Sequence, residues 1–281
     1  MNESLRILTQ KIPKLPTLPP VADKIINLVN SNAAFIGSIV ETIEKDPAIS
    51  AKIIGFSNAA FYRMGDPVTN IRDAVMKIGF DNVKSVALGI SLLTLFKSER
   101  GEVPRDYRNI IRHSVVAGLM AKEVADMLKW RDHGEVFTCG LLHDLGLLVM
   151  SAYFPDIYSQ VMTKFKEGAV FTEVEKEVCG FSHGEVGAWL ADGWQLPESV
   201  CEVVRYHHTP AKAVLNPSIT AVTHLADIIA VRGNYSPISA KGYESAPDKA
   251  AMRMVGMTEQ NLGDWILRIE EIFGPMKDIW Q

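Results

Sequence analysis

Seven histidines in 281 residues is an ordinary number, so their settings, not their count, carry any argument for chemistry. His113 falls inside a helical row of Tyr107, Ile111, Val115 and Leu119, with Ile110, Ala117, Met120 and Val124 forming a second apolar row beside it. A buried imidazole there needs a hydrogen bond or a metal ion to offset its lost hydration. His143 and Asp144 interrupt Val136 to Met150, the most apolar run in the chain. An isolated buried carboxylate is strongly unfavourable, so Asp144 must be paired with a cation, hydrogen-bonded or neutralised. Gly140 and Gly146 flank the pair and would admit a second helix or a ligand at close range.

Ser182 and Glu185 have the spacing of a capping box, which places His183 in a first helical turn. The helix dipole disfavours imidazolium there and leaves the neutral ring that a metal needs; an exposed first-turn histidine with no task fits the same pattern. His207 and His208 end a helix that starts near Pro197 and that Pro210 stops. Adjacent helical residues point about 100° apart, so the pair is suited to straddling a site, though a histidine at a helix C-terminus also meets the dipole favourably. Asp227 interrupts Leu225 to Val231, and His224, three residues earlier on the same face, is its simplest hydrogen-bond partner. His133, before the central helix, reads as a surface or capping residue.

The elements that position these residues are all helical, because no run alternates apolar and polar residues as a half-buried strand does. Leu15-Pro16-Thr17-Leu18-Pro19-Pro20 is extended. Helices are predicted from about Val21, with Ile25, Leu28 and Val29 on its apolar face, from Phe35 to Glu44, and from Asp46-Pro47, an N-cap followed by proline in the first turn. Ile71 to Ile78 ends at Gly79, and Asp81 opens a long helix to about Phe96. Further segments run from Asp106 to Leu128 and Val136 to Met150, then near 154–166, 171–179, 183–192, 198–208 and 217–231. A loop at 234–247 and a last helix from Leu262 to Phe273 close the chain. The expected organisation is an extension at 1–14, an N-terminal helical subdomain at 15–96, a charged linker at 97–105, a second helical subdomain at 106–233 and a C-terminal loop and helix at 234–281.

Bulk properties exclude several classes. A hydrophobic content of 47% with 22% charged residues supports a folded core. A net charge of -4 without a block of like charge removes the basic footprint of a nucleic-acid binder. Val136 to Met150 is shorter than the roughly 20 residues of a spanning helix, and residues 1–15 lack a signal-peptide core, so the expectation is no membrane and a cytoplasmic location. Cys139, Cys179 and Cys201 form no close-spaced pair and read as reduced, packed thiols.

The order His113, Gly140-Leu141-Leu142-His143-Asp144-Leu145-Gly146, His183, His207-His208 and Asp227 resembles the HD phosphohydrolases, particularly those that hydrolyse cyclic dinucleotides. The opening Leu-Pro-Thr-Leu-Pro-Pro, Asp46-Pro47-Ala48, Ser57-Asn58-Ala59 running to Phe61-Tyr62, and Ala74 to Gly79 resemble the HDOD family more closely, over about residues 15–230. The resemblance implies an all-α, HD-domain-like bundle in which His113, His143, Asp144, His183, His207, His208 and Asp227 converge on one or two metal ions, with Asp144 able to bridge. Mixed imidazole and carboxylate ligands suit iron, manganese, zinc or nickel.

The chain departs from the cyclic-dinucleotide hydrolases at three places. Leu147 replaces their lysine after His-Asp-Leu-Gly, Asn109 stands where some carry a glutamate ligand, and Thr209-Pro210-Ala211 replaces Gly-Tyr-Pro. No catalytic residue and no organic cofactor is therefore assigned. The resemblance implies a signalling module acting through protein partners. The alternatives are a metal-dependent phosphohydrolase and a non-catalytic sensor of a nucleotide or phosphoester. A distant arginine, such as Arg112 or Arg205 beside the candidate ligands, could still meet a phosphate.

Overall fold

The computed structural model describes residues 5–6, 18–30, 36–58, 66–96, 106–130, 134–166, 168–240, 242–243 and 246–273. Among them every regular element is a helix and no strand occurs. The linker at 97–105, residues 15–17, Phe61-Tyr62, His133 and most of 1–14 lie outside the described residues.

In the first half, from residue 18 on, the described residues form α1 (Pro20–Asn30), α2 (Ile36–Glu44), α3 (Pro47–Ser57), α4 (Ile71–Ile78) and α5 (Phe80–Leu95). Local chemistry sets their ends. Asp46 accepts the Ala48 and Ile49 amides at 3.0 Å and so satisfies two of the orphan donors of α3. Gly79 stops α4 at φ +85°, a conformation that costs glycine little. The Asn58 side chain both donates to and accepts from the Val68 backbone at 2.7 Å, as a strand partner would. Ile25, Ile39, Ile43, Ile53, Phe56 and Ile71 are buried together, each contributing on the order of 1.5–3 kcal/mol of transfer free energy.

The second half runs α6 (Tyr107–Met127), α7 (Gly134–Leu142), α8 (Leu145–Tyr153), α9 (Pro155–Lys164), α10 (Phe171–Cys179), α11 (His183–Gly193) and α12 (Glu198–Tyr206). It continues through a 3-10 turn (Pro210–Lys212) to α13 (Pro217–Arg232), α14 (Lys249–Val255) and α15 (Glu259–Phe273). α6 and α13 pack on α7, α8 packs on α11, and α5 joins the first half to α7. The Phe56 and Phe137 rings meet edge-on at 5.5 Å across that seam. Two glycines make the closest crossings possible. A Cβ at Gly140 would stand 2.7 Å from the Gly118 Cα of α6, and one at Gly146 would stand 1.8 Å from the His183 carbonyl oxygen. The close approach that these glycines allow is to other helices.

The structure corrects the chain reading at two places. Val136 to Met150 is not one helix: His143 and Asp144 form a turn between α7 and α8. Asp144 sits at φ -94°, ψ 19°, in the sparsely used bridge region, and Leu147 bonds back to its carbonyl at 3.0 Å. The second correction is α14, which had no counterpart in the sequence reading although Asp248 caps it and Gly256 ends it at φ +68°. Glu135–Tyr153 is long and apolar enough to cross a membrane by length and composition, but it is 89% buried within the fold and broken at the turn. It is a core element. The three cysteines form no disulfide, as expected.

Candidate metal centre

The turn between α7 and α8 aims Asp144 inward, and its side chain makes no cap hydrogen bond to the helix it precedes. Around it gather His113 from α6, His143 from the same turn, His183 at the start of α11, His207 and His208 at the end of α12, and Asp227 from the middle of α13. All the candidate ligands named from the sequence are therefore in one place. They are almost fully buried, with His208 the most open at 13% side-chain exposure.

Outer partners fix the orientation of four rings. The Nδ1–H of His113 donates to the Tyr235 carbonyl at 2.6 Å and that of His143 to the Gly140 carbonyl at 2.7 Å. His207 donates in the same way to the Val204 carbonyl at 3.0 Å. Gly140 and Val204 lie in last helical turns, whose carbonyls otherwise lack partners. His183 donates Nδ1–H to Glu175, 2.8 and 2.9 Å from its two oxygens. With the Nδ1 proton committed, a neutral ring presents only a lone pair at Nε2.

Those lone pairs face one another. Nε2 of His113 is 3.1 Å from Nε2 of His143, and Nε2 of His183 is 3.2 Å from that of His207 and 3.1 Å from that of His208. Each close pair needs a proton or a cation between its members.

The carboxylates divide the cluster into two halves. Asp144 Oδ2 is 3.4 Å from both His113 and His143 Nε2, and Asp227 Oδ1 is 3.2 Å from His113. The other Asp144 oxygen, Oδ1, is 3.4 Å from His183 and 3.6 Å from His207. Neither Asp144 oxygen, nor Asp227 Oδ1, has a hydrogen-bond partner among the described residues, although all three are buried. Buried polar atoms are nearly always satisfied, so these three oxygens mark room for a positive charge.

A metal fits this donor set. Two ligand atoms about 2.1 Å from one ion and at right angles to each other lie about 3.0 Å apart. The inward nitrogen and oxygen separations are of that order. Without an ion, protons must carry the balance. Burial works against imidazolium throughout, yet the Asp144 charge raises His143 to about 9, and Glu175 with Asp144 raises His183 to about 10. Burial and the neighbouring rings hold His207 below the usual histidine range and His208 well below it. Burial would push both carboxyls up. The imidazoles win, His143 foremost for Asp144 and His113 for Asp227, and hold them low.

Other candidates fall elsewhere. His224 is not the partner of Asp227: its Nδ1–H donates to the His207 carbonyl at 2.7 Å and its Nε2 accepts the Asp248 amide at 2.9 Å. It braces the turn that carries His207. Asn109 reaches Ser239 and Asp106, away from the cluster. Arg112 stacks on the Tyr235 ring at 5.4 Å, whereas Arg205 pairs with Asp192 at 2.9 Å and lines a cavity beside His208.

Two functional residues escaped the sequence reading. Glu175 is fully buried and orients His183; its signal was a carboxylate one turn after Phe171 and beside Val174 on the core face of α10. Tyr243 brings its hydroxyl to 3.5 Å from His208 Nε2, from a loop with no periodic pattern to reveal it.

Comparison with known proteins bears on the fold and the family. In the solved structure of an HDOD domain protein of unknown function from Geobacter sulfurreducens, 22% of residues are identical, with a TM-score of 0.74 over 96% of this chain and 98% of that one. A candidate phosphohydrolase from Shewanella amazonensis SB2B is 21% identical, with a TM-score of 0.74 over 99% of this chain and 97% of that one. A candidate signal-transduction protein from Marinobacter aquaeolei VT8 is 23% identical, with a TM-score of 0.70 over 95% of this chain and 60% of that one. These likenesses establish the fold. An uncharacterized protein of Treponema pallidum (strain Nichols) is 25% identical over 202 residues, 72% of this chain but 39% of that protein, so the chain spans well under half the length of that relative. The model of the HDOD domain matches residues 15–210, more than half the chain, and the protein belongs to the HDOD family.

Proposed function

We propose that this protein is a cytoplasmic regulatory module that acts through protein partners and is built around a centre for divalent transition-metal ions. His113, His143 and Asp227 would hold one ion, and His183, His207 and His208 a second, with Asp144 shared between them. The observation that carries the metal reading is the set of inward Nε2 atoms, held by outer hydrogen bonds, facing carboxylate oxygens that have no hydrogen-bond partner among the described residues. Iron, manganese, zinc and nickel all suit such ligands. The signalling role rests on family membership and on the name of the Marinobacter structure.

Elemental analysis of protein purified without added metal tests the centre directly. One or two equivalents of a transition metal are expected. Chelation should then lower the melting temperature, because a ligand bound only to the native state stabilises it by mass action. Metal-free protein that takes up no iron, manganese, zinc or nickel would remove this reading.

The second reading is a metal-dependent phosphohydrolase, favoured by the cationic cavity at His208 and the name of the Shewanella structure. A bound ion would supply Lewis-acid charge and an activated water. Cyclic dinucleotides are poor substrates on this reading, since Leu147 is buried where a lysine would meet phosphate. Metal-dependent turnover of a phosphodiester, abolished by Asp144→Ala, would promote the enzymatic reading over the regulatory one.

A further inference from the structure

His208, the most open residue of the cluster, forms part of the wall of a cavity of about 220 Å³. Its other walls come from α10, the first turn of α11, the end of α12 and the 3-10 turn that follows. Three of the lining residues are cationic: Lys176, Arg205 and Lys212. Among the described residues the one lining carboxylate, Glu185, is occupied by the capping box, accepting the Ser182 amide at 2.9 Å and its hydroxyl at 3.3 Å. The cavity is therefore a concentrated positive region on a chain whose net charge is -4.

The cations are available to a ligand. Lys176 pairs with Glu173 at 3.2 Å and Arg205 with Asp192 at 2.9 Å, but in both pairs the carboxylate side chain is more than half exposed, and such surface pairs exchange at little cost. Lys212 makes no ion pair among the described residues. The first turn of α11, with Ser182 and Gly184 in the wall, adds the positive end of an 11-residue helix. Gly184 lets that turn approach α12, since a Cβ there would stand 3.0 Å from the Arg205 carbonyl. Lys212 directly follows the Thr209-Pro210-Ala211 segment.

We propose that this cavity is a subsite for the phosphate group of a small phosphomonoester, or for free phosphate, held by Lys176, Arg205 and Lys212 beside His208. Its size supports the class: pockets for drug-sized ligands start at about 300 Å³, and a cavity of about 220 Å³ suits a phosphate headgroup. The inference goes beyond the metal centre and does not depend on it, because the binding groups are side chains of this chain.

The test is calorimetric titration of the full chain with inorganic phosphate and with adenosine 5′-monophosphate, in metal-loaded and chelator-treated protein. Saturable one-to-one binding is expected in both forms, weakened about tenfold by Lys212→Ala or Arg205→Ala and retained by Lys212→Arg. Phosphate that competes with adenosine 5′-monophosphate assigns the site to the ester headgroup; phosphate binding without it assigns the site to the free anion. Lys249→Ala, outside the cavity, should change nothing. Absence of saturable phosphate binding in both forms overturns the proposal. Binding confined to the metal-loaded form and indifferent to both alanine variants also overturns it, by placing the anion on the metal. If the chain binds no metal at all, the chelator-treated titration still decides the question.

Discussion

Glu175 and His183 are joined twice: the carboxylate accepts the His183 ring nitrogen at 2.8 Å and the His183 backbone amide at 3.1 Å. One buried side chain thus fixes both the start of α11 and the direction of its first imidazole. A carboxylate behind a ligating histidine raises its basicity and holds its tautomer, and loss of such a partner weakens metal affinity by about 10–100-fold. Glu175→Gln keeps the shape and removes the charge. It should lower metal affinity by that factor, measured by competition with a chromogenic chelator, while the far-ultraviolet circular dichroism stays the same. Unchanged affinity would reduce Glu175 to a packing residue.

Asp144 and Asp227 should differ in kind. The two oxygens of Asp144 face different halves of the cluster, whereas Asp227 Oδ1 is nearest His113. Asp144→Ala should therefore empty both halves and Asp227→Ala one. Metal-to-protein ratios after dialysis would read near zero for the first and about half the parent value for the second, if the parent holds two ions. Equal losses would show that the halves are not separable.

The legibility of this protein in its sequence follows the physics of each feature. Helix ends with a dedicated cap were readable, as at Asp46-Pro47 and at Ile71 to Gly79, because the cap is a local interaction between residues a few positions apart. His143 and Asp144 were readable as a polar intrusion into an apolar run. The break they make was not, since it depends on what the Asp144 side chain meets across the core. The same limit applies to Glu175 and Tyr243, whose partners are fixed by tertiary packing. His224 was misread because a shared helix face predicted Asp227, while the His207 carbonyl and the Asp248 amide reached it from other segments. The grouping of all seven candidate ligands was carried by the family resemblance; spacing alone gave only isolated histidines.

Gly146 should tolerate no side chain. A Cβ there would collide with the His183 carbonyl at 1.8 Å and stand 2.9 Å from the Gly187 amide, and both belong to rigid backbone. Gly146→Ala must push α11 from α8, which should cost about 3 kcal/mol or more and displace His183 from the cluster. Gly263→Ala is the control, because its Cβ would enter open space within α15 and should be neutral or stabilising by up to about 1 kcal/mol. Chemical denaturation of the two variants checks both signs. A Gly146→Ala protein as stable as the parent would show that α8 and α11 can separate freely.

The last expectation concerns pH. Glu123 lies on α6 with 7% of its surface exposed, beside Lys122 and Asp126 on its own helix and 3.9 Å from Arg268 of α15. Burial raises its carboxyl to about 7, with Lys122 opposing, Asp126 adding and Arg268 opposing. The folded chain therefore keeps a proton that the unfolded chain releases near 4.5. The associated stability is fully present below the unfolded value and is lost as pH rises through 7. Glu123→Gln has no such proton to lose. The variant and the parent should be about equally stable near pH 4.5, and the variant should be more stable at pH 8, by about 1–2 kcal/mol after allowing for partial solvent screening. Urea denaturation at the two pH values isolates the effect, because the other titrating groups are common to both proteins. A variant less stable than the parent at pH 8 would mean that the Arg268 attraction outweighs the burial of the charge.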